Sequence, residues 1–281
     1  MVKIVGYTHL WIALGAMSSA MATLQAANQM PDWDIIQSGI VIAIGVGTGA
    51  IYTLQRRIKY KRMPHHIPQD RRIFIEKYSG MLLGAWCLCI AAWFIVFRQD
   101  LLNWAHLLVP ASPFLIILSA LALGYASNPF SNDSNGWRDI SRFKLPVIAI
   151  TWGLATVWIP SIMCGSAALE FDLMARVLAQ SLLIAGLTVP FDVRDMAVDP
   201  PSMNTVPQRI GPKSATYLAI ALLATGAGIF LLIGNAVAPL CTIACAMPCV
   251  VYGQIVRKEW FYSLVLDGCL IVQGFVIIFW V

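Results

Sequence analysis

The sequence predicts an all-α membrane protein with nine transmembrane helices in a single domain, residues 1–281. Of the 281 residues, 59% are hydrophobic and only 12% are charged, whereas about 25% are charged in a typical soluble domain. A helix needs about 20 apolar residues to cross a bilayer, and apolar stretches of that length recur along the chain. These observations exclude a water-soluble fold, and nine crossings leave no length for a second, soluble domain.

Hydropathy and length identify the candidate membrane helices. The first could also be a cleaved signal peptide, but the apolar run from Ile4 is longer than a signal core and follows a single lysine, so we expect a retained helix. The nine apolar segments span approximately residues 4–24, 35–54, 78–97, 106–125, 145–164, 172–191, 214–234, 236–255 and 261–281.

Basic residues are concentrated on one side of this predicted bundle. The N-terminus and the even-numbered loops carry all of the 19 Lys and Arg residues except Arg98 and Arg176. Because cytoplasmic loops are the basic ones, we expect an integral protein of a bacterial inner membrane, with a cytoplasmic N-terminus and Val281 at the opposite face. The net charge of +5 comes from residues that flank the membrane, and without a nucleic-acid-binding module it does not indicate nucleic-acid binding.

Three carboxylates follow the sixth segment at spacings of three and four residues: Asp192, Asp195 and Asp199. If the helix continues, a rotation of about 100° per residue places them on one face. Clustered carboxylates are tolerated when a hard cation accepts their oxygens, and Mg²⁺ combines carboxylates with water and phosphate oxygens. The cluster therefore indicates a magnesium site for a phosphate ester. The alternative is a solvated helix end whose acids pair with Arg194 and Arg209.

This segment resembles the second Asp-rich motif, D-x-x-D-x-x-x-D, of the UbiA superfamily of intramembrane prenyltransferases. The stretch from Asn204 to Gly211 is similar to the K-T-L-P-x-x-L-G element that follows the motif, with Asn204 in place of the family lysine. The resemblance implies a UbiA-like bundle of nine helices. It also implies Mg²⁺ on the aspartates, and transfer of an isoprenyl group from a prenyl diphosphate to a lipophilic acceptor.

The chain departs from the family after the second segment, where members carry a first Asp-rich motif. The residues from Tyr52 to Arg62 contain no carboxylate. Arg56 and Arg57 lie in this place, and guanidinium groups bind phosphate through two parallel hydrogen bonds. We expect these arginines either to bind the diphosphate or to pair with the aspartates and close the site. The alternative is a loop that anchors the helices to anionic membrane lipids.

The loop after the fourth segment supplies a second set of basic candidates. Family members use basic residues here to bind the diphosphate, so the resemblance implies this role for Arg138, Arg142 and Lys144. Two further candidates, His9 and Asp267, are ionisable residues inside apolar segments, where such groups usually face a cavity or a partner. Each either lines an acceptor pocket or makes an internal hydrogen bond.

Two functions fit these observations, and the missing acidic motif separates them. The first is a prenyltransferase, or a cyclase that uses the same ionisation chemistry, whose catalytic residues beyond the metal ligands are not assigned. The second is a non-catalytic descendant that binds an isoprenoid or another lipid, or acts as a partner membrane protein. Transport is disfavoured because the sequence has no evident inverted repeat or pair of broken helices.

Overall fold

The computed structural model describes residues 6–26, 35–62, 69–124, 143–166, 169–196, 199, 201–234, 237–256 and 258–280. In these residues the protein is helical and has no β-strand, which confirms the all-α prediction. Five helices are long and apolar enough to cross a membrane, by length and composition, within the described part of the chain. They are Gln37–Lys61, Arg71–Val96, Lys144–Met163, Phe171–Asp195 and Pro212–Ile233.

The helices are numbered α1 to α11 in chain order. They are α1 (Leu10–Ala26), α2 (Ile35–Arg62), α3 (Gln69–Val96), α4 (Leu101–Gly124), α5 (Lys144–Gly153), α6 (Ile159–Met163), α7 (Phe171–Asp195), α8 (Val206–Ile210), α9 (Pro212–Ile233), α10 (Val237–Tyr252) and α11 (Ile271–Trp280). A π-helical turn, Leu154–Trp158, joins α5 to α6, and a second, Phe261–Leu266, precedes α11.

Each of the nine apolar segments coincides with helix in its described residues, although several helices are longer than hydropathy predicts, most of all α2 and α3. Helix α2 continues past residue 54 to Arg62, and α3 begins at Gln69 rather than at residue 78. The added residues are largely Arg, Lys, Gln and Glu, which are good helix formers. They extend both helices beyond their apolar parts. Five of the nine segments contain helices that are long and apolar enough to span a membrane. Nine crossings stay a prediction.

Helix α7 lies in the core, and its apolar part is fixed by close packing on α9. A Cβ added to Gly186 would lie 2.7 Å from Cγ of Leu223 and 3.0 Å from the carbonyl oxygen of Ala219. Such small residues allow membrane helices to approach closely. Leu183 and Leu187 beside this contact are buried. The packing holds α7 firmly, so the charged residues at its C-terminal end occupy defined positions.

Candidate functional site

A cavity of about 470 Å³ lies between α2, α4, α5 and α7, with Asp267 and its neighbours on a further wall. Its volume is within the range of about 300–1,000 Å³ that is typical of small-molecule sites. Most of the wall is apolar. The last turns of α2, the first residue of α5 and the end of α7 bring charged side chains to one end of the cavity. These are Arg56, Lys59, Lys144, Asp192, Arg194 and Asp195.

Lys144 lies between two of the three predicted metal ligands. Its Nζ is 2.6 Å from Oδ1 of Asp192 and 3.0 Å from Oδ2 of Asp199. All three residues are buried, and Asp192 is only 1% exposed. Isolated buried charges are strongly unfavourable, so such groups occur paired. Lys144, predicted to bind diphosphate, is thus an ion-pair partner of the aspartates and also lines the cavity.

Asp199 lies beyond the end of α7 and is held there by the backbone and by Gln208. Its N–H donates to the Asp195 carbonyl at 2.8 Å, and Nε2 of Gln208 donates to its carbonyl oxygen at 3.1 Å. Oε1 of Gln208 accepts from the N–H of Thr205 at 2.8 Å, as in a capping box at the start of α8. The element from Asn204 to Gly211 therefore positions the third aspartate, which does not line the cavity.

Asp195 is paired with its neighbour Arg194. Nε and Nη2 of Arg194 donate to the two carboxylate oxygens at 2.7 Å and 3.1 Å, the two-pronged geometry that makes arginine pairs specific. The same guanidinium donates to Oε2 of Glu259 at 3.1 Å and lies 4.6 Å from the ring centroid of Tyr262. Glu259 also pairs with Arg71 of α3. This network joins α3, α7 and the segment before α11.

Glu259 was not predicted as a site residue. It follows two basic residues, Arg257 and Lys258, in a loop assigned only to topology, so no local pattern separated it from a solvated charge. Burial of its carboxyl raises its pKa, but the nearby Arg71 and Arg194 guanidinium groups outweigh that effect and bring the pKa below its ordinary value of 4.5. The carboxylate is therefore charged at neutral pH, as the network requires.

The two candidate arginines of α2 point in different directions. Arg56 lines the cavity together with Asp192 and Asp195. Nη1 of Arg57 would lie 3.6 Å from a Cβ built on Gly80 of α3, and Arg57 does not line the cavity. Successive helical residues are rotated by about 100°, so adjacent side chains diverge. The two remaining basic candidates, Arg138 and Arg142, lie outside the described residues.

His9 and Asp267 also differ in placement. Asp267 lines the cavity near Leu266. His9 does not line it: Nδ1 of its ring is 3.1 Å from Oγ1 of Thr53. The Thr53 hydroxyl donates to the Gly49 carbonyl at 2.8 Å, so Nδ1 of His9 donates to Thr53. For His9, the structure thus contains the internal hydrogen bond that was the alternative to an acceptor pocket.

The arrangement of the carboxylates does not fit a magnesium ion. Asp192 and Asp199 converge on the ammonium group of Lys144, and Asp195 directs both of its oxygens at Arg194. In the described part of the chain, no group of three or more His, Cys, Asp or Glu side chains is placed to hold a metal. Mg²⁺ prefers carboxylates that combine with water and phosphate oxygens in an octahedron, whereas these carboxylates are directed at cationic side chains.

Comparison with known proteins assigns no family, because no protein-family model and no curated protein matches this chain. The cavity and the charged side chains at its end are therefore the basis for inferring its function.

Proposed function

We propose that the protein is a UbiA-like intramembrane prenyltransferase that moves an isoprenyl group from a prenyl diphosphate to a lipophilic acceptor. The observation that carries the proposal is one cavity that has both a largely apolar wall and, at its charged end, more cationic than anionic side chains. This polarity matches a ligand with a hydrocarbon tail and an anionic head. Arg56 and Lys59 would contact the head, while residues such as Ile44, Ile148 and Leu187 would surround the tail.

The chemistry of this transfer requires stabilisation of negative charge. The C1–O bond of the allylic diphosphate breaks and the diphosphate leaves with the bonding electron pair. The acceptor then forms a bond to C1 and loses a proton. Fixed cations aimed at the departing group stabilise the charge that develops on it. Arg56 and Lys59 are suited to this role because both line the cavity and both carry a positive charge.

The proposal includes the membrane topology. Nine crossings, a cytoplasmic N-terminus and a bacterial inner membrane would place the charged end of the cavity at the cytoplasmic face, because α2 and α7 each end there. A topology reporter fused after Val281 should be active only outside the cytoplasm. Activity of that reporter in the cytoplasm alone would contradict this topology.

A second function is a non-catalytic protein that binds an isoprenoid or another lipid. It is favoured by one observation: Asp192, Asp195 and Asp199 are all engaged in ion pairs within the protein. Both functions require ligand binding in the cavity, and only the first requires turnover. Release of inorganic diphosphate together with a prenylated lipid from farnesyl diphosphate, detected by mass spectrometry in membranes containing the protein, would distinguish them.

Gly47 provides a direct test of tail binding. It lines the cavity, and a Cβ added to it would meet nothing within 4 Å. Gly47→Leu therefore adds a side chain at the cavity wall whose Cβ meets no neighbouring atom within 4 Å. We expect this variant to weaken binding of farnesyl diphosphate at least about tenfold, measured by calorimetry with purified protein in lipid nanodiscs.

Gly84 of α3 offers the matched control. It is exposed, does not line the cavity, and an added Cβ there would also meet nothing within 4 Å. Gly84→Leu should bind farnesyl diphosphate as the unmodified protein does. Equal binding by the Gly47→Leu and Gly84→Leu variants would exclude this cavity as the tail site.

A further inference from the structure

We propose that this protein binds the diphosphate head without a divalent metal, because Lys144 is a built-in cation at the point where a metal would join the aspartates. The inference rests on the proposed function and concerns how the same site recognises its ligand. It is carried by the positions of Lys144, Asp192 and Asp199, by their burial, and by the cations on the facing wall.

The ammonium group of Lys144 occupies the point where two carboxylates from different segments converge. Asp192 belongs to the last turns of α7 and Asp199 lies beyond that helix, yet oxygens of both approach one nitrogen, at 2.6 Å and 3.0 Å. A metal ion joining the same two carboxylates would have to lie between them, at about 2.0–2.1 Å from each oxygen for Mg²⁺. Lysine and metal cannot share that position.

Burial makes the lysine difficult to displace. Lys144 is 7% exposed and Asp192 is 1% exposed. Breaking a buried ion pair leaves charges without compensation in a region of low dielectric and is strongly unfavourable. Lys144 is also the first residue of α5, so moving it outward would disturb the start of that helix. Entry of Mg²⁺ between the carboxylates would have to overcome both effects.

The facing wall supplies cations for the phosphate oxygens. Arg56 and Lys59 are three residues apart on α2, a spacing that places them on one face of the helix, and both line the cavity. The segment from Tyr52 to Arg62 has no carboxylate that could hold a metal. Guanidinium and ammonium groups bind phosphate directly through charge-assisted hydrogen bonds. The head group is thus held by side-chain cations alone.

The decisive experiment uses the unmodified protein in nanodiscs and measures farnesyl diphosphate binding by calorimetry, once with EDTA and once with excess MgCl₂. We expect dissociation constants that agree within about threefold. Binding that requires Mg²⁺ would overturn this inference and leave the proposed function intact. Absence of binding under both conditions would overturn the proposed function itself, and this inference with it.

Lys144→Met supplies a second readout. Removing the ammonium group opens the point between Asp192 and Asp199, so Mg²⁺ should now bind there and raise the melting temperature of the variant, since a ligand that binds only the folded state stabilises it. The unmodified protein should show no such rise. Lys213→Met is the control, because Lys213 also lies in the first turn of a helix, α9, but is exposed.

Equal effects of Mg²⁺ on the unmodified protein and on both variants would contradict the role of Lys144 as the built-in cation. The comparison of EDTA with MgCl₂ in the unmodified protein stands independently of either variant.

Discussion

The ends of α2 and α7 contribute to the same cavity, yet they use charge differently. On α7, Asp192 and Asp195 are held by cations, Lys144 from α5 and the adjacent Arg194. On α2, successive residues diverge, and Arg56 lines the cavity whereas the next residue is directed toward α3. The carboxylates of α7 belong to ion pairs that join segments of the protein, while the cations of α2 form part of the cavity wall.

Because of this difference, substitutions at the two helix ends should affect different properties of the protein. A buried ion pair that loses one member leaves the other charge buried and is strongly destabilising. Arg56 and Lys59 are only half-buried, so water screens their interactions and loss of one of these charges costs less. Substitutions at the α7 end should therefore lower stability. Substitutions at the α2 end should mainly lower ligand affinity.

The largest effect is expected for Lys144→Met. The substitution leaves the buried carboxylates of Asp192 and Asp199 without their shared cation, and loss of one partner from a buried pair typically costs about 3–5 kcal/mol. Thermal unfolding in detergent should show a large fall in melting temperature, with Lys213→Met as the exposed control. Neutralising one carboxylate as well, with Asp192→Asn, should recover part of the loss. An unchanged melting temperature in Lys144→Met would contradict the structural role of this pair.

Arg194→Gln should have the next largest effect. The guanidinium contacts Asp195, Glu259 and the ring of Tyr262, but the two carboxylates are each 28% exposed, so solvent screens them. A loss of about 2 kcal/mol is expected, read as a smaller fall in melting temperature than for Lys144→Met. Arg194→Lys should recover only part of it, because an ammonium cannot form the two-pronged pair. Arg98→Gln, in an exposed turn, is the control and should leave the melting temperature unchanged. Equal falls in melting temperature for Arg194→Gln and Arg98→Gln would argue against the network.

Much of the fold was predictable because hydropathy is a property of local sequence. The nine apolar segments coincide with helices in the described residues, and the largest errors in the predicted ends, at α2 and α3, arose where largely polar residues continue the helix. The order of the helices also brought the aspartates of α7 and Arg56 of α2 to one cavity, although the sequence alone could not fix which of two adjacent arginines would face it.

Most of the ion pairs were not predictable, because they join residues that are distant in the chain. The exception is Asp195, whose pairing with the adjacent Arg194 was the alternative to a metal site that the sequence offered. Lys144 is separated from Asp192 by 48 positions and from Asp199 by 55, and nothing in either segment specifies the other as a partner. Glu259 meets Arg71 across a still larger separation. A spacing of three and four residues indicates that carboxylates share a helix face, but it does not identify the cation that they bind.

Arg56 and Arg57 allow the comparison to be sharpened within one helix. Arg56→Gln removes a cation from the cavity wall and should weaken farnesyl diphosphate binding about tenfold, which corresponds to about 1.4 kcal/mol. Arg57→Gln makes the same chemical change on the side of α2 that faces Gly80 and should leave affinity unchanged. Calorimetry in nanodiscs measures both. Equal losses in the two variants would indicate a general effect of positive charge rather than a contact of Arg56 with the head group.

The smallest expected effect is a pH dependence that Glu259 confers on the network around Arg194. Because the pKa of Glu259 is lower in the folded protein than its ordinary value of 4.5, the folded state binds this proton more weakly than the unfolded chain does. Its stabilising contribution is complete above that ordinary pKa, and it is lost as the pH falls through the lowered value. The charged Glu259 should therefore raise the melting temperature at neutral pH, and this increase should disappear as the pH falls below about 4.5.

Glu259→Gln isolates that contribution from the titration of other carboxylates. The Glu259 carboxylate contacts Arg71, Arg194 and the hydroxyl of Ser263. The uncharged amide of the variant cannot form these ion pairs at neutral pH, and it has no charge that acid could neutralise. The melting temperature of the variant should be lower than that of the unmodified protein at pH 7, and the difference should shrink as the pH falls below about 4.5. A difference that is constant from pH 7 to acid would show that the carboxylate charge does not stabilise this end of α7. The network would then act through packing of Arg194 on Tyr262 rather than through ion pairing.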